Sequence, residues 1–474
     1  MNRKTKIVAT VSPNVLEGNL LERMIEANVD VFRLNFSHGN HSEHREIIEA
    51  IKKLRQGRSK PVAILQDLSG SKIRIGNFTT PDVTLVPDQV FTFSTDKNIE
   101  GSNERVFVDH LTLPKEILTG DRIVLDDGRV SLEVLDINEK EIKCLVLQGA
   151  KIRGRRGLTV PGRKLSLPVL SEKDKNDMLL GLELEVDFVA LSFVQSDECV
   201  KTLRSFINES TDGPKPDIIA KIETKKALDN FDSILEVSDG AMVARGDLAI
   251  DILPEEVPMA QKDIIKKSNK VGKPVITATQ MLESMINFPE PTRAEISDVA
   301  NAILDGTDAV MLSGETSIGK FPLQAIEIIK RTAEQIEKNY PELDSFKYEF
   351  KKEIDTVDAV TGAVVNVSNN IGAKLIAALT DSGFTGRMIS RFKPKVSIIA
   401  MATDEYSYRK LSLSFGCIPI FVESPKDIGK AFDLVRQYAI KYELAKEGDR
   451  VVVTAGVPFD VSDAKTNMLS VETL

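Results

Sequence analysis

Eight short apolar runs rich in Val, Ile and Leu, most of them followed by a stretch with helical spacing, constrain this chain more than any other feature. The predicted strands are Lys6–Val11, Val29–Asn35, Pro61–Asp67, Val186–Ser192, Asp217–Ile222, Gly240–Ala244, Pro274–Ala278 and Asp308–Leu312. The predicted helices between them are Leu20–Ala27, Ser42–Gln56, Glu198–Glu209, Thr224–Val237, Met259–Val271 and Arg293–Leu304, and Pro322–Asn339 completes the last unit. Alternation of this kind indicates parallel strands covered by helices. Eight units predict a (β/α)8 TIM barrel, whose chemistry sits at the C-terminal ends of its strands. Each run indeed leads into polar or Gly-containing sequence there: NFSHG, DLSG, SFVQS, KIET, ARGD, TATQ, SGET.

The third gap, Asp67 to Val186, is far longer than the roughly 30 residues of one βαβ unit. It contains short strand patterns with a turn signal, Arg122–Leu125, Asp126-Asp127-Gly128, then Val130–Val134. A small β domain inserted after strand three is expected, placed to act as a lid over the barrel mouth. After Tyr340-Pro341 a helix-strand order restarts, with Thr356–Ile371 as helix and strands at Lys374–Leu379, Val396–Ala400, Pro419–Val422 and Arg450–Thr454. The expected division is therefore 1–72 and 162–341 for the barrel, 73–161 for the lid and 342–474 for a C-terminal α/β domain.

With 474 residues, 42% of them hydrophobic and 28% charged, the chain has material for large cores. It has no apolar run of membrane-spanning length, and its N-terminus reads as a first strand, not a signal peptide. Cys144, Cys199 and Cys417 lie far apart, with neither a zinc spacing nor a disulfide framework, so a reducing cytoplasm is expected. A net charge of -9 argues against broad nucleic-acid binding but allows a local basic pocket.

Lys221-Ile222-Glu223 is the strongest local feature. Strand alternation puts Lys221 and Glu223 on one side, where they form either a plain ion pair or a site in which Glu223 holds a metal and Lys221 meets an anion. Asp247, in Ala244-Arg245-Gly246-Asp247 on the next strand, adds a second carboxylate, giving an oxygen-rich site suited to Mg2+. Gly246 permits close backbone approach, Thr277 and Thr279 add hydroxyls, and Arg33, Asn35, Lys72 and Arg74 add anion donors. The set fits metal-assisted phosphoryl transfer; the plain alternative is a solvated barrel rim.

Two patterns mislead. Gly314 to Lys320 matches a Walker A loop until Phe321, where that loop needs Ser or Thr. His38, His41 and His44 lack the partners of a zinc site and read better as the lead into a surface helix, with His38 still a ligand candidate.

RLNFSHG from Arg33, KIET from Lys221, ARGDL from Arg245, TATQMLESM from Thr277 and MLSGET from Met311, in this order and with the insert in this gap, resemble the pyruvate kinase family. The resemblance spans nearly the whole chain, although the extra N-terminal segment of some larger members is missing. It implies transfer of a phosphoryl group from phosphoenolpyruvate to ADP, giving pyruvate and ATP, the last step of glycolysis. It implies Mg2+, with Mn2+ as an alternative, on Glu223 and Asp247; Lys221 stabilising the group in transit; and Arg33 gripping the phosphate. The Gly246 and Asp247 backbone and Thr279 would receive the pyruvyl carboxylate, with Lys72 also on the substrate side. Thr279 and Ser313 would form the proton path to the enolate. Asn35, Ser37, His38, Arg74 and Arg156 would serve the nucleotide, Arg156 from the lid.

The segment Asp67-Leu68-Ser69-Gly70-Ser71-Lys72-Ile73-Arg74 resembles the K+-independent branch of the family, in which a Lys stands in for a Glu. A tethered ammonium supplies the charge of a free cation. Lys72 is therefore expected to occupy or neutralise a monovalent-cation pocket of Asn35, Ser37, Asp67 and Leu68. The loop Thr380-Asp381-Ser382-Gly383-Phe384-Thr385-Gly386, between a strand and predicted helix Arg387–Phe392, resembles the family's effector loop and suits a phosphate, though an ordinary capped turn uses the same residues. The later effector loop, Ala455 to Asp460, lacks the Gly-rich aromatic form of some allosteric members. Resemblance also implies a homotetramer. The alternatives are another Mg2+-dependent phosphoenolpyruvate-handling mutase or lyase, which would ignore ADP, and a non-catalytic metabolite sensor, against which the intact Lys221, Glu223, Asp247 and Thr279 argue.

Overall fold

The computed structural model describes residues 3–58, 60–126, 128–163, 165–338, 355–458 and 465–474. Eight parallel strands close into a barrel: Lys6–Val11, Val31–Asn35, Ala63–Asp67, Phe188–Leu191, Asp217–Ile222, Gly240–Ala244, Val275–Ala278 and Ala309–Leu312. Each predicted strand exists, with several trimmed by one to three residues at their ends. The barrel interior is packed by Val8, Val31, Leu65, Phe188, Ile219, Met242, Ile276 and Met311, so the barrel is a core and not a pore. The outer helices bury their apolar stripes against the strands: Ile47, Ile48 and Ile51 of His41–Arg55 join Phe32 and Leu34 in one cluster.

Two local readings differ from the structure, and one helix stands where none is predicted. The single helix predicted over Thr224–Val237 is two, Lys225–Asp229 and Phe231–Val237, broken at Asn230, whose side chain donates to the Gln195 carbonyl. Arg245–Asp251, read as a strand-end loop, is a short helix that begins directly at the end of the sixth strand. Helix Glu172–Glu183, with a reciprocal Ser171/Asp174 cap, precedes the fourth strand and lacked a clear apolar period.

Between strands three and four lies a seven-stranded sheet built on Phe91, Phe93, Val106, Ile123, Leu132 and Ile142. Its entry strand, Ile73–Arg74, pairs antiparallel with its exit strand, Gly157–Thr159, so the insert stands on a two-stranded root. Asp127 of its predicted turn lies outside the described residues, as do Tyr340-Pro341 and the end of the later effector loop, Phe459 and Asp460.

The C-terminal sheet runs Cys417–Phe421, Ser397–Ala402, Leu375–Thr380, Arg450–Ala455, Met468–Thr473. The last strand, which the sequence reading did not include, is its antiparallel edge. This sheet's flanking segments meet the base of the barrel, where acids stand at the N-terminal ends of strands. Arg409 Nε reaches Asp187 at 2.6 Å, Lys393 reaches Asp308 at 2.7 Å and Lys410 reaches Asp217 at 2.6 Å. One end of the barrel is thus spent on docking and the other is left for chemistry.

Candidate active site

Four strand ends bring the central charges together. Arg33, near the end of strand two, donates from Nε to Asp67 Oδ2 at 2.7 Å and from Nη1 to Thr10 Oγ1 at 3.0 Å. Lys221, from strand five, sits 3.2 Å from Asp67 Oδ1 and 2.9 Å from Glu223 Oε1, and donates to Ser192 Oγ at 2.7 Å. Asp67 and Glu223 are each 1% exposed, so these charges meet in a nearly dry setting. Burial opposes the Asp67 charge, but Lys221 and Arg33 outweigh it and hold the carboxyl below its ordinary range. Burial likewise opposes the Lys221 charge, and the Asp67 and Glu223 carboxylates reverse it, leaving the ammonium more basic than usual. Glu223 is the member that gives way. Burial, reinforced by the nearby Asp247 carboxylate, pushes its pKa up despite Lys221.

Glu223 Oε2 accepts the Phe193 amide at 2.6 Å. Its Oε1 is buried and, although 2.9 Å from the Lys221 ammonium, receives no aligned hydrogen bond among the described residues. Two carboxylates, one with an oxygen held only by its ion pair with Lys221, form a donor set that fits a hard divalent cation completed by substrate oxygens. Among the described residues no group of three or more His, Cys, Asp or Glu gathers to hold a metal, so an ion here would depend on substrate oxygens beyond these two carboxylates.

Thr279 and Gly246 face each other across strands six and seven. The Gly246 amide donates to Thr279 Oγ1 at 2.8 Å, so this predicted substrate donor already has a hydroxyl acceptor in place. Thr279 and Gln280 both have positive φ, 69° and 55°. Their carbonyls turn toward Arg245, whose Nη2 donates to Thr279 O at 2.6 Å. Arg245 is anchored on Asp298 at 2.8 Å and shapes this corner from below. The amide of Ser313 is bonded to Glu315, while its buried hydroxyl oxygen has no partner among the described residues.

The predicted place of Lys72 is corrected by the structure. Its ammonium lies 3.4 Å from Asp247 Oδ1 and 4.9 Å from the Phe193 ring centroid. The cations on Asp67 are Arg33, from the neighbouring strand two, and Lys221, which reaches it from strand five past the intervening strand four, while Lys72 pairs with Asp247. The expected monovalent pocket is internally engaged: Asn35 Oδ1 accepts the Ser37 amide at 3.1 Å, and Leu68 O accepts Ser192 Oγ at 2.8 Å.

The nucleotide candidates are more dispersed. Ser37 and His38 are exposed beyond strand two. Arg74 stands at the lid root, its Nη1 donating to the Arg155 carbonyl at 3.2 Å, and Arg156 is paired with Asp126 within the lid at 3.2 Å. His41 begins its helix and contacts Asp177 at 2.7 Å; His44 is buried against Phe36, with rings 3.9 Å apart. In the C-terminal loop, Gly383 has φ 75°, Asp381 accepts from Thr403 at 2.6 Å, and Thr385 turns inward to Thr466 at 2.8 Å. The Thr385 hydroxyl is therefore not among the donors this loop presents outward, since buried hydroxyls pair with one another. The helix that follows is Phe384–Ser390, three residues earlier than predicted.

The sequence reading assigned no role to Ser192 and Phe193. Their signal was the position of SFVQS at a strand end, a place that in barrels carries chemistry.

Comparison with known proteins places this geometry. Residues 2–326 match the family profile "Pyruvate kinase, barrel domain" and residues 358–472 match "Pyruvate kinase, alpha/beta domain". The chain is 42% identical over 467 residues to a pyruvate kinase of Thermotoga maritima, covering 98% of each, and 40% identical over 477 residues to one of Clostridium perfringens, covering 99% of each. The crystal structure of a pyruvate kinase from Cryptosporidium parvum superposes with a TM-score of 0.94 at 36% identity, covering 100% of this chain and 96% of the other. With a closed barrel, an α/β domain and full-length similarity all in agreement, this chain belongs to the pyruvate kinase family, phosphotransferases that move a phosphoryl group from phosphoenolpyruvate to ADP.

Proposed function

We propose that the phosphoryl group is transferred in the space bounded by Arg33, Lys221, Glu223 and Asp247. The carrying observation is the buried Glu223 Oε1, which is ion-paired with Lys221 at 2.9 Å but has no aligned donor among the described residues, beside a second carboxylate. Glu223 and Asp247 would hold Mg2+, or Mn2+ in its place. When bound, such an ion neutralises charge on the phosphoryl oxygens. Lys221 supplies a fixed ammonium for negative charge shared between donor and acceptor, and its orientation is set by Asp67 and Ser192. Arg33, immobilised through Asp67 and Thr10, offers its remaining N–H groups to the phosphate of phosphoenolpyruvate. The substrate carboxylate would take the acceptor place that Thr279 Oγ1 fills beside the Gly246 amide, with the Asp247 amide next to it. The open hydroxyl of Ser313, with Thr279, suits relay of a proton to the enolate through water.

ADP would lie toward Asn35, Ser37, His38 and Arg74, with Arg156 released from Asp126 when the lid moves on its root. Lys72 provides a tethered positive charge at Asp247, and Asn35, Asp67 and Leu68 already have internal partners, so the reaction is expected to run without K+. Ser382, Gly383 and the first amides of the following helix form the outward part of a phosphorylated-effector site, with Thr380 and Asp381 behind them. Assembly as a homotetramer is supported by large apolar residues exposed on the barrel, Leu253, Met259, Phe288 and Ile318. A cytoplasmic location is supported by three free cysteines, and among the described residues no helix is long and apolar enough to cross a membrane.

A coupled turnover assay with phosphoenolpyruvate, ADP and Mg2+, with and without K+, tests the reading. ADP-dependent pyruvate formation that is abolished by chelator and unchanged by K+ is expected. Severalfold stimulation by K+ at saturating Mg2+ would remove the role given to Lys72. A panel of sugar phosphates and nucleoside monophosphates in thermal-shift and kinetic assays tests the effector loop, and uniformly flat responses would reject it.

A further inference from the structure

Phe193 is placed where packing alone gives it no reason to be. Its φ is 55°, a conformation that is an outlier for a bulky aromatic side chain. It is only half-buried and belongs to none of the apolar clusters that build the barrel. Its amide donates to Glu223 Oε2 at 2.6 Å, and its ring lies 4.9 Å from the Lys72 ammonium. Room for the ring is made by Gly70, where a Cβ would come within 2.9 Å of Phe193 Cδ2. Backbone strain kept at a mouth residue and supported by a neighbouring glycine points to a task at the site.

We infer that Phe193 is a positioning residue whose ring holds the Lys72 ammonium at the barrel mouth. The inference rests on the reading of Lys72 as the tethered cation and of Asp247 as a divalent-ion ligand. The contact between Lys72 and Asp247 is long, 3.4 Å, and both side chains are about one-third exposed, 33% and 32%. A divalent ion on Asp247 competes with Lys72 for that carboxylate. The ring face does not titrate and binds no metal, so it keeps its attraction for the ammonium in either case. Because the same residue fixes Glu223 through its amide, the cation platform and one carboxylate of the site share a single rigid point.

The test compares Phe193→Leu, Phe193→Tyr and Lys72→Met in buffers free of K+ and Na+, then with KCl added. Binding of Mn2+ to each free protein is followed by electron paramagnetic resonance, and circular dichroism checks folding. Phe193→Leu is expected to lose about tenfold in kcat/KM without K+, the scale of a partly desolvated cation–π contact, and to recover most of it in KCl. It should also bind Mn2+ more weakly, by roughly threefold, because the freed ammonium is drawn onto Asp247. Phe193→Tyr keeps the ring and should restore both properties. A Phe193→Leu protein with native kcat/KM, native Mn2+ binding and no KCl response overturns the inference, as does Phe193→Tyr impaired as deeply as Leu. If Lys72→Met gains a KCl response and Phe193→Leu does not, the role of Phe193 alone fails. If Lys72→Met is itself active and indifferent to KCl, the reading of Lys72 fails first.

Discussion

Lys221 Nζ stands 3.2 Å from Asp67 Oδ1, joining strands five and three across the barrel mouth. That pairing leaves the ammonium charged and aimed at the same space as Arg33, the other cation on Asp67. Lys221→Met is therefore expected to lower kcat by at least a factor of ~10³, because the charge fixed between Asp67 and Glu223 is then lost to the transition state. Arg33 still neutralises Asp67 in the variant, so the protein should fold. A steady-state coupled assay measures the loss, and a variant within tenfold of the native rate would remove Lys221 from the chemistry.

Gly70 has φ 67°, and a Cβ built there would lie 2.8 Å from Ser192 Cβ and 2.9 Å from Phe193 Cδ2. Gly70→Ala thus forces both an unfavourable backbone and a shift of the residue that hydrogen-bonds Lys221. A stability loss of about 1–3 kcal/mol is expected, with kcat reduced more than KM because Lys221 is displaced. Urea unfolding and initial-rate kinetics on the same preparation check this. Unchanged kcat with reduced stability would show that Ser192 does not orient Lys221.

These two cases mark what sequence discloses and what it hides. The barrel was legible because buried parallel strands must be apolar throughout and recur with the helices that cover them. Lys221, Glu223 and Asp247 were legible because strand ends in a barrel converge, so adjacent charged residues there must meet. The place of Lys72 was not legible. It follows a Gly-containing turn at the start of the insert, and the direction of a long flexible side chain there is decided by a ring 121 positions on and by Asp247. The pairing of Arg156 was hidden for a similar reason: its partner, Asp126, belongs to a neighbouring strand end of the lid. The inward turn of Thr385 depends on Thr466, beyond the segment that the loop pattern covers.

Asp187, fully buried at the base of strand four, accepts from Arg409 Nε at 2.6 Å, Arg55 Nη1 at 3.1 Å and the Ile64 amide at 2.8 Å. Arg409→Leu would keep Asp187 paired with Arg55 but remove one of three ion pairs to the C-terminal domain, leaving Lys393 on Asp308 and Lys410 on Asp217. A loss of about 3 kcal/mol is expected, and calorimetry should resolve the single transition into two as the barrel and the α/β domain uncouple. A single transition at the native temperature would mean that the Lys393 and Lys410 pairs and the apolar contact suffice for coupling without Arg409.

Asp30 gives the clearest pH signature. It is 1% exposed, and Arg3 at 2.7 Å, Lys60 at 2.9 Å and Lys6 at 3.9 Å surround it. Burial alone would raise its pKa, but Arg3, Lys60 and Lys6 together hold it well below the ordinary 3.8. A carboxyl depressed in the folded state contributes stability that is fully present above its unfolded pKa and is lost as pH falls through 3.8 toward the folded value. Lys60 acts at the other end of the scale. Burial outweighs Asp30 and lowers its pKa to about 8 from 10.5, so the folded state binds fewer protons than the unfolded chain in that window. Its contribution therefore rises with pH from 8 to 10.5. Asp30→Asn should cost about 3–5 kcal/mol at neutral pH, since it leaves three cations facing one another without their shared anion. It should also flatten the acid limb of stability below pH 4, as Asn cannot titrate. Urea midpoints measured from pH 3 to pH 10 for both proteins decide the matter: parallel acid limbs would show that Asp30 is not the group whose protonation weakens the barrel base.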